Sequence, residues 1–395
     1  MPSNLGPIYF DYNATTPVLP EVEQAMLPFW QKNYGNPSST HFYGQRAKLS
    51  VEKARNSVAR LLGVPAHSLV FTSGATESIH TALAGWTMAQ TTTQLQTQKS
   101  AQNSTQDKTC HIITSTIEHK ATYGACNLSQ KLGARISYVE CDSLGFVRLD
   151  QLVKLIKPGE PTLFSVIHGN NEIGTIQNLS EISELARKHS FALHVDAAQS
   201  VGKTPVPIDQ LSVDFLSISG HKVYGPKGVG ALYIRNTNNF ESLFSGGGQE
   251  MNLRAGTHNV PGIVGLGRAC EWYAANGPSE IVRLQHLQNH LREKLAPLQE
   301  LLQINGPLQN RLPNNLSITL KKHSLEDLES AFENIAYSSG SACNSGPQDP
   351  SHVLKAIGVD EKIAANTLRI GLGLYSTESE VDHFCESLLK TFKKG

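Results

Sequence analysis

"TLFSVIHGNNEIGTIQNLSEISELARKHSFALHVDA", residues 162–197, is the stretch on which the fold turns. "TLFSVIH" is a short, nearly continuous apolar run, as expected of a strand buried on both faces. "SEISELARKH" then brings Ile182, Leu185 and Ala186 to helical spacing. "FALHVDA" is a second buried strand. Strand, helix and strand in this order predict a parallel βαβ unit. Working outward, "SLVFTS", "HIITS", "ISYVE", "DFLSIS" and "GALYIR" read as further strands, and "DQLVKLIK" as a further helix. The alternation predicts an α/β large domain over residues 16–262, a mostly parallel seven-stranded sheet with helices on both faces. In such sheets ligands bind beyond the carboxyl ends of the strands, so the residues there matter most.

After residue 262 the pattern changes. A helical region over 264–302 leads to a strand at "NNLSITL", a helix near Leu325 and a terminal strand–helix pair. These predict a smaller α+β domain of residues 263–395, joined by residues 1–15. "TMAQTTTQLQTQKSAQNSTQDKT", residues 87–109, is polar and low in complexity, and predicts a solvated surface-loop insertion without a catalytic part.

Composition narrows the function classes. The 395 residues carry 34 basic and 34 acidic side chains, with none of the basic surplus that a nucleic-acid or anionic-membrane binder needs. At 39% hydrophobic and 17% charged, the chain can bury cores. No apolar run reaches the roughly 20 residues of a transmembrane helix. "MPSNLGPIYFDYNATTPV" lacks the pattern of a signal or transit peptide, so the cytoplasm is the expected location. Cys110, Cys126, Cys141, Cys270, Cys343 and Cys385 form no CxxC pair, which argues against a zinc site or a disulfide framework. Five of them read as buried small hydrophobes. Cys343 differs: "SSGSACNSGPQDP", residues 338–350, is a run of turn formers built to move.

Several strand ends carry chemistry. In "SISGHKVYGPKG", Lys222 would project into the ligand crevice, as a solvated lysine or as a Schiff-base amine. Asp196 ends "HVD", as a helix cap, an ion-pair partner or the acid that keeps a pyridinium nitrogen protonated. Gln199 can face the same crevice. "FTSGATES" sets a glycine turn before a helix start at Glu77, where backbone N–H groups and the Thr76 hydroxyl can hold a phosphate. His119 follows another strand, as a structural imidazole or one stacked on a planar ring. Asn170 and Asn171 end yet another. Together these features point to pyridoxal phosphate.

The chain resembles the cysteine desulfurases of the NifS/IscS type, in fold type I of the pyridoxal-phosphate enzymes. The likeness runs from "DYNATTP" through "NPSSTHFYG", "FTSGATES", "EHKA", "NNEIG", "HVDAAQS", "SGHKVYGPKG" and "RAGTHNVPGIVGLG" to "SSGSAC" and "LRIGLG". It implies that Lys222 carries the cofactor, Asp196 meets the pyridinium nitrogen, Gln199 the ring hydroxyl, and His119 stacks on the ring and moves protons. Ala75, Thr76, Ser219 and His221 correspond to phosphate contacts. Thr257 corresponds to a phosphate contact across a homodimer with shared sites. Asn171, also beside the cofactor, and Arg369 correspond to groups that hold the substrate carboxylate. Cys343 would attack the sulfur of L-cysteine, leaving alanine and a persulfide for a sulfur-acceptor protein in iron–sulfur cluster assembly or tRNA thiolation. No stable metal site is implied, although Cys343 could serve as a transient iron–sulfur ligand. The alternative on the same fold is a selenocysteine lyase or cysteine sulfinate desulfinase. The chain departs from the family pattern at Met251 and Asn252, where arginine and glycine are usual.

Overall fold

The computed structural model describes residues 6–100, 110–339 and 351–393, with the side chains of 94–100 excepted. Seven strands form the central sheet in the order Leu69–Thr72, Gly230–Ile234, Phe215–Ser219, Ala192–Asp196, Thr162–Ile167, His111–Ser115 and Arg135–Val139. Only Gly230–Ile234 runs against the others. Every strand expected from the sequence is present. The remaining six therefore end on one edge, with Ile167 level with Asp196, and Asp196 level with Ser217.

The sheet is buried on both faces because successive side chains of each strand point in opposite directions. Phe164 and Val166 enter one apolar cluster, together with Val195, Leu216 and Ile218. Leu163 enters the other, with Val70, Ile112 and Phe215. This two-sided burial explains why the strands read as continuous apolar runs rather than alternating ones.

The four strands Ser338–Ser339, Thr367–Gly371, Asn315–Leu320 and Leu302–Asn305 form a second, antiparallel sheet in that order. Ile8–Tyr9 pairs in parallel with Ile335–Ala336, so the N-terminal segment joins this part of the molecule. The helix Glu378–Phe392 covers it, capped by a reciprocal Thr377–Glu380 box.

Four expectations need correction. The polar segment 87–109 is not a loop throughout: the helix Ala75–Ser100 runs to residue 100, and residues 101–109 lie outside the described residues. Thr87 is buried, and its hydroxyl donates to the Leu83 carbonyl one turn back. Thr91 and Thr93 do the same toward Thr87 and Ala89. Threonines satisfied in this way can line a helix, which composition alone does not reveal. The same helix starts at Ala75, not Glu77. Near Leu325 there is only a single 3-10 turn, Glu326–Leu328. Finally, the expected division at 262/263 falls in the first turn of the helix Val260–Leu295. That helix packs Ile263, Leu266 and Tyr273 against the large sheet's core, and Leu284, Leu287 and Leu291 against the second core. The packing changes around Pro278, well inside the helix.

Candidate active site

The carboxyl edge of the central sheet opens into a cavity of about 840 Å³. Ala75, Thr76, His119, Asn171, Asp196, Gln199, Ser219, His221, Lys222 and Arg369 all line it. They arrive from separate strand ends, the helix N-terminus after Gly74, and the strand Thr367–Gly371 of the second sheet. Two expected residues are not in this group. Thr257 is exposed and lines a separate pocket of about 480 Å³ with Arg254 and Glu77. Cys343, with the mobile loop expected over 339–349, lies outside the described residues beyond Ser339.

Lys222 sits in a 3-10 turn, Gly220–Lys222, directly after the strand Phe215–Ser219. Its Nζ donates to the carbonyls of Asn13 at 2.6 Å and Ala14 at 2.7 Å. The N-terminal segment also grips this turn: Thr16 N–H donates to the His221 carbonyl at 3.0 Å, and Tyr224 N–H donates to Thr16 Oγ1 at 2.9 Å. Thr15 Oγ1 meets His221 Nδ1 at 3.1 Å. Burial, reinforced by Lys222, Lys227 and Lys203, brings the His221 pKa down to about 4.

At the opposite wall, Gly74 leads into the first turn of Ala75–Ser100, whose free N–H groups and positive dipole end suit an anion. Ser219 Oγ faces Gly74 closely enough to contact any side chain placed there. Glu77 would repel an anion, but it is paired with Arg254 Nε at 2.7 Å and accepts from Ser73 N–H at 2.8 Å. Burial opposes its ionisation, yet these bonds hold the carboxyl below its usual range.

Asp196 is buried and accepts one hydrogen bond, from Ala198 N–H at 2.9 Å. Burial raises its pKa to about 6, against the smaller pull of that bond and of Lys222. His119 caps the helix Lys120–Lys131, its Nδ1 accepting from Ala121 N–H at 3.1 Å. Burial, with Lys222 next, lowers its pKa to about 4, so the imidazole is neutral with its proton on Nε2. Of the two asparagines, Asn170 is structural: its side chain bonds the Ile117 carbonyl and the N–H groups of Glu172 and Ile173. Asn171 reaches the cavity.

The sequence by itself marks no role for Asp11 or Asn13. Asp11 pairs with Arg369 at 3.0 Å, and Asn13 has both polar side-chain atoms buried without a partner. The only local signal was their place in "DYNATTP", more than 200 positions from Lys222.

The chain belongs to the class-V aminotransferase family, which it matches over residues 8–384. It is 41% identical over 389 residues to the cysteine desulfurase IscS of Dictyoglomus turgidum, covering 98% of this chain and 95% of that protein. The cysteine desulfurase IscS of Anaeromyxobacter dehalogenans is 42% identical over 381 residues, 95% of this chain and 90% of the relative. A solved NifS-like protein superposes with a TM-score of 0.86 at 37% identity, over 98% of this chain and all of that one. The architecture is that of the fold type I enzymes, whose cofactor is pyridoxal phosphate.

The residues of the cavity fit that cofactor. Asp196, buried and short of a positive partner, suits a pyridinium N–H, which would restore its ionised form. The helix start suited to an anion lies on the same cavity, and Lys222 lines it with a primary amine. The unpartnered Asn13 amide and Arg369 Nε supply polar atoms that await a ligand.

Proposed function

We infer that this chain is a pyridoxal-phosphate-dependent cysteine desulfurase, converting L-cysteine to L-alanine and a persulfide on Cys343. The observation that carries the reading is the convergence of Lys222, Asp196, His119 and Arg369 on one cavity. The cofactor supplies an electron sink that renders the substrate's sulfur open to attack by a thiolate. Lys222 holds the cofactor; Ala75, Thr76, Ser219 and His221 hold its phosphate, and Asp196 its ring nitrogen. Arg369 and Asn171 hold the substrate carboxylate, a task for which the planar guanidinium fork is suited. His119 offers a proton at Nε2 and takes it back. Cys343 accepts the sulfur and carries it to an acceptor protein in iron–sulfur cluster assembly or tRNA thiolation.

Several observations support assignment of the other thiols to the core. Cys110, Cys126, Cys141, Cys270 and Cys385 are all buried. Burial raises their pKa values, to about 11 for Cys110 and about 12 for Cys126, Cys270 and Cys385, so none is poised as a nucleophile.

The protein acts as a homodimer in which Thr257 serves the partner's phosphate. Leu27, Trp30, Tyr34, Phe42 and Leu49 are each more than half exposed, apolar side chains that a second copy would cover. The departure at Met251–Asn252 is compatible with the local backbone: Glu250, Met251 and Asn252 have φ of 47°, 58° and 66°, and asparagine tolerates the left-handed region better than most residues. No helix among the described residues is long and apolar enough to cross a membrane, in keeping with the proposed cytoplasmic location.

The deciding experiment is a paired assay of alanine and sulfide from L-cysteine with a reductant, on wild type and Cys343→Ser. Equal yields from wild type and loss of both in the variant are expected. Turnover of L-selenocysteine alone, unaffected by the substitution, would overturn the reading in favour of a lyase.

A further inference from the structure

Lys203 is only 3% exposed, although an isolated ammonium in a protein interior costs several kcal/mol. It has no ion pair among the described residues; its Nζ lies 3.4 Å from Gln199 Oε1. Burial and the nearby Lys222 bring its pKa down to about 7. A methionine would fill the same space without that cost, so packing does not account for a lysine.

Gln199 gives the lysine a purpose. Its Nε2 donates to the Asn13 carbonyl at 2.8 Å, and its Oε1 faces Lys203. The Asn13 carbonyl can only accept, so it takes an N–H of the amide and turns Oε1 toward Lys203, whose Nζ donates to it. With the oxygen occupied, the group that Gln199 retains for the cavity is its second N–H. Asn13 also takes the Lys222 amine on the same carbonyl, so the amide is fixed in the frame that holds the reactive lysine.

We propose that Lys203 is a positioning residue of the active site, which holds Gln199 Oε1 and so fixes Gln199 as an N–H donor to the cofactor's ring oxygen, favouring that oxygen's anionic form. This rests on the reading that Gln199 meets the ring oxygen.

The test uses the cofactor-loaded protein and reads cofactor affinity and the position of the visible absorption band. Gln199→Leu should weaken affinity about tenfold and move the band. Lys203→Met should move both in the same direction by a similar amount, and the double variant should be no worse than Gln199→Leu alone. Lys203→Gln, which keeps a donor without the charge, should stay near wild type in both readouts. Additive effects in the double variant, or an unchanged band and affinity in Lys203→Met, would overturn the proposal. An altered band in Lys203→Gln would also count against it. If Gln199→Leu itself changes neither readout, the assignment of Gln199 fails first, and that result is separable from the others. Should Lys203→Met not fold, Lys203→Ala takes its place in the same cycle. Ethylamine should then return its band toward wild type, and failure to do so contradicts the proposal.

Discussion

Arg369 donates from Nη2 to Asp11 Oδ1 at 3.0 Å and to Ser338 Oγ at 2.9 Å, while its Nε has no partner. Ser338 Oγ donates in turn to Asp11 Oδ1 at 2.7 Å. The arginine is thus held by an acid before any substrate arrives. A carboxylate entering the cavity must compete with Asp11 for Nη2.

Arg369→Ala is expected to retain the cofactor and to raise the half-saturating L-cysteine concentration about thirtyfold, the effect of losing about 2 kcal/mol of charge-assisted contact. Asp11→Asn should act in the opposite sense, lowering that concentration about threefold by removing the competitor. Steady-state kinetics of the two variants check this. Loss of cofactor from Arg369→Ala would place the residue outside substrate binding.

Asp196 predicts a pH signature in the cofactor-free protein. Its pKa rises from the usual 3.8 when unfolded to about 6 when folded, so the folded state binds the extra proton between those values. Stability from this group is therefore present below about pH 4, falls as pH rises, and is lost above pH 6, by about 3 kcal/mol in all. Asp196→Asn should be the more stable protein at pH 8 by up to that amount, and the gap should close toward pH 4. Cofactor binding should be severely weakened in the same variant. Denaturant titrations at several pH values decide it; a gap independent of pH would contradict the assigned shift.

Persulfide mapping separates Cys343 from the buried thiols. After brief exposure to L-cysteine and alkylation, the added sulfur should be found on Cys343. Label on Cys110, Cys126, Cys141, Cys270 or Cys385 would require opening of a core that buries all five.

The helix Ala75–Ser100 makes a further prediction. Ala89 is buried beside Trp86, so Ala89→Glu should destabilise the fold by about 2–4 kcal/mol. A solvated loop at this position would tolerate the change. Urea unfolding of the variant distinguishes the two.

What the amino-acid sequence determined by itself was local in origin. The seven strands, the βα alternation and the positions of the strand ends were legible because burial on two faces writes itself into short continuous apolar runs. The parallel sheet then places the ends of those strands on one edge, which is why Lys222, Asp196 and His119 could be picked out together. Polarity misled where a satisfied group looked like a solvated one: Thr87 bonds a carbonyl of its own helix and is buried. The tertiary structure alone decided what comes from far along the chain. Asn13 supports Lys222 across 209 positions, and Asp11 holds Arg369 across 358. Hydrogen bonds and ion pairs between such distant residues leave no period in the sequence. Lys203, equally, is a buried amine only because the packed strands and helices around it exclude water.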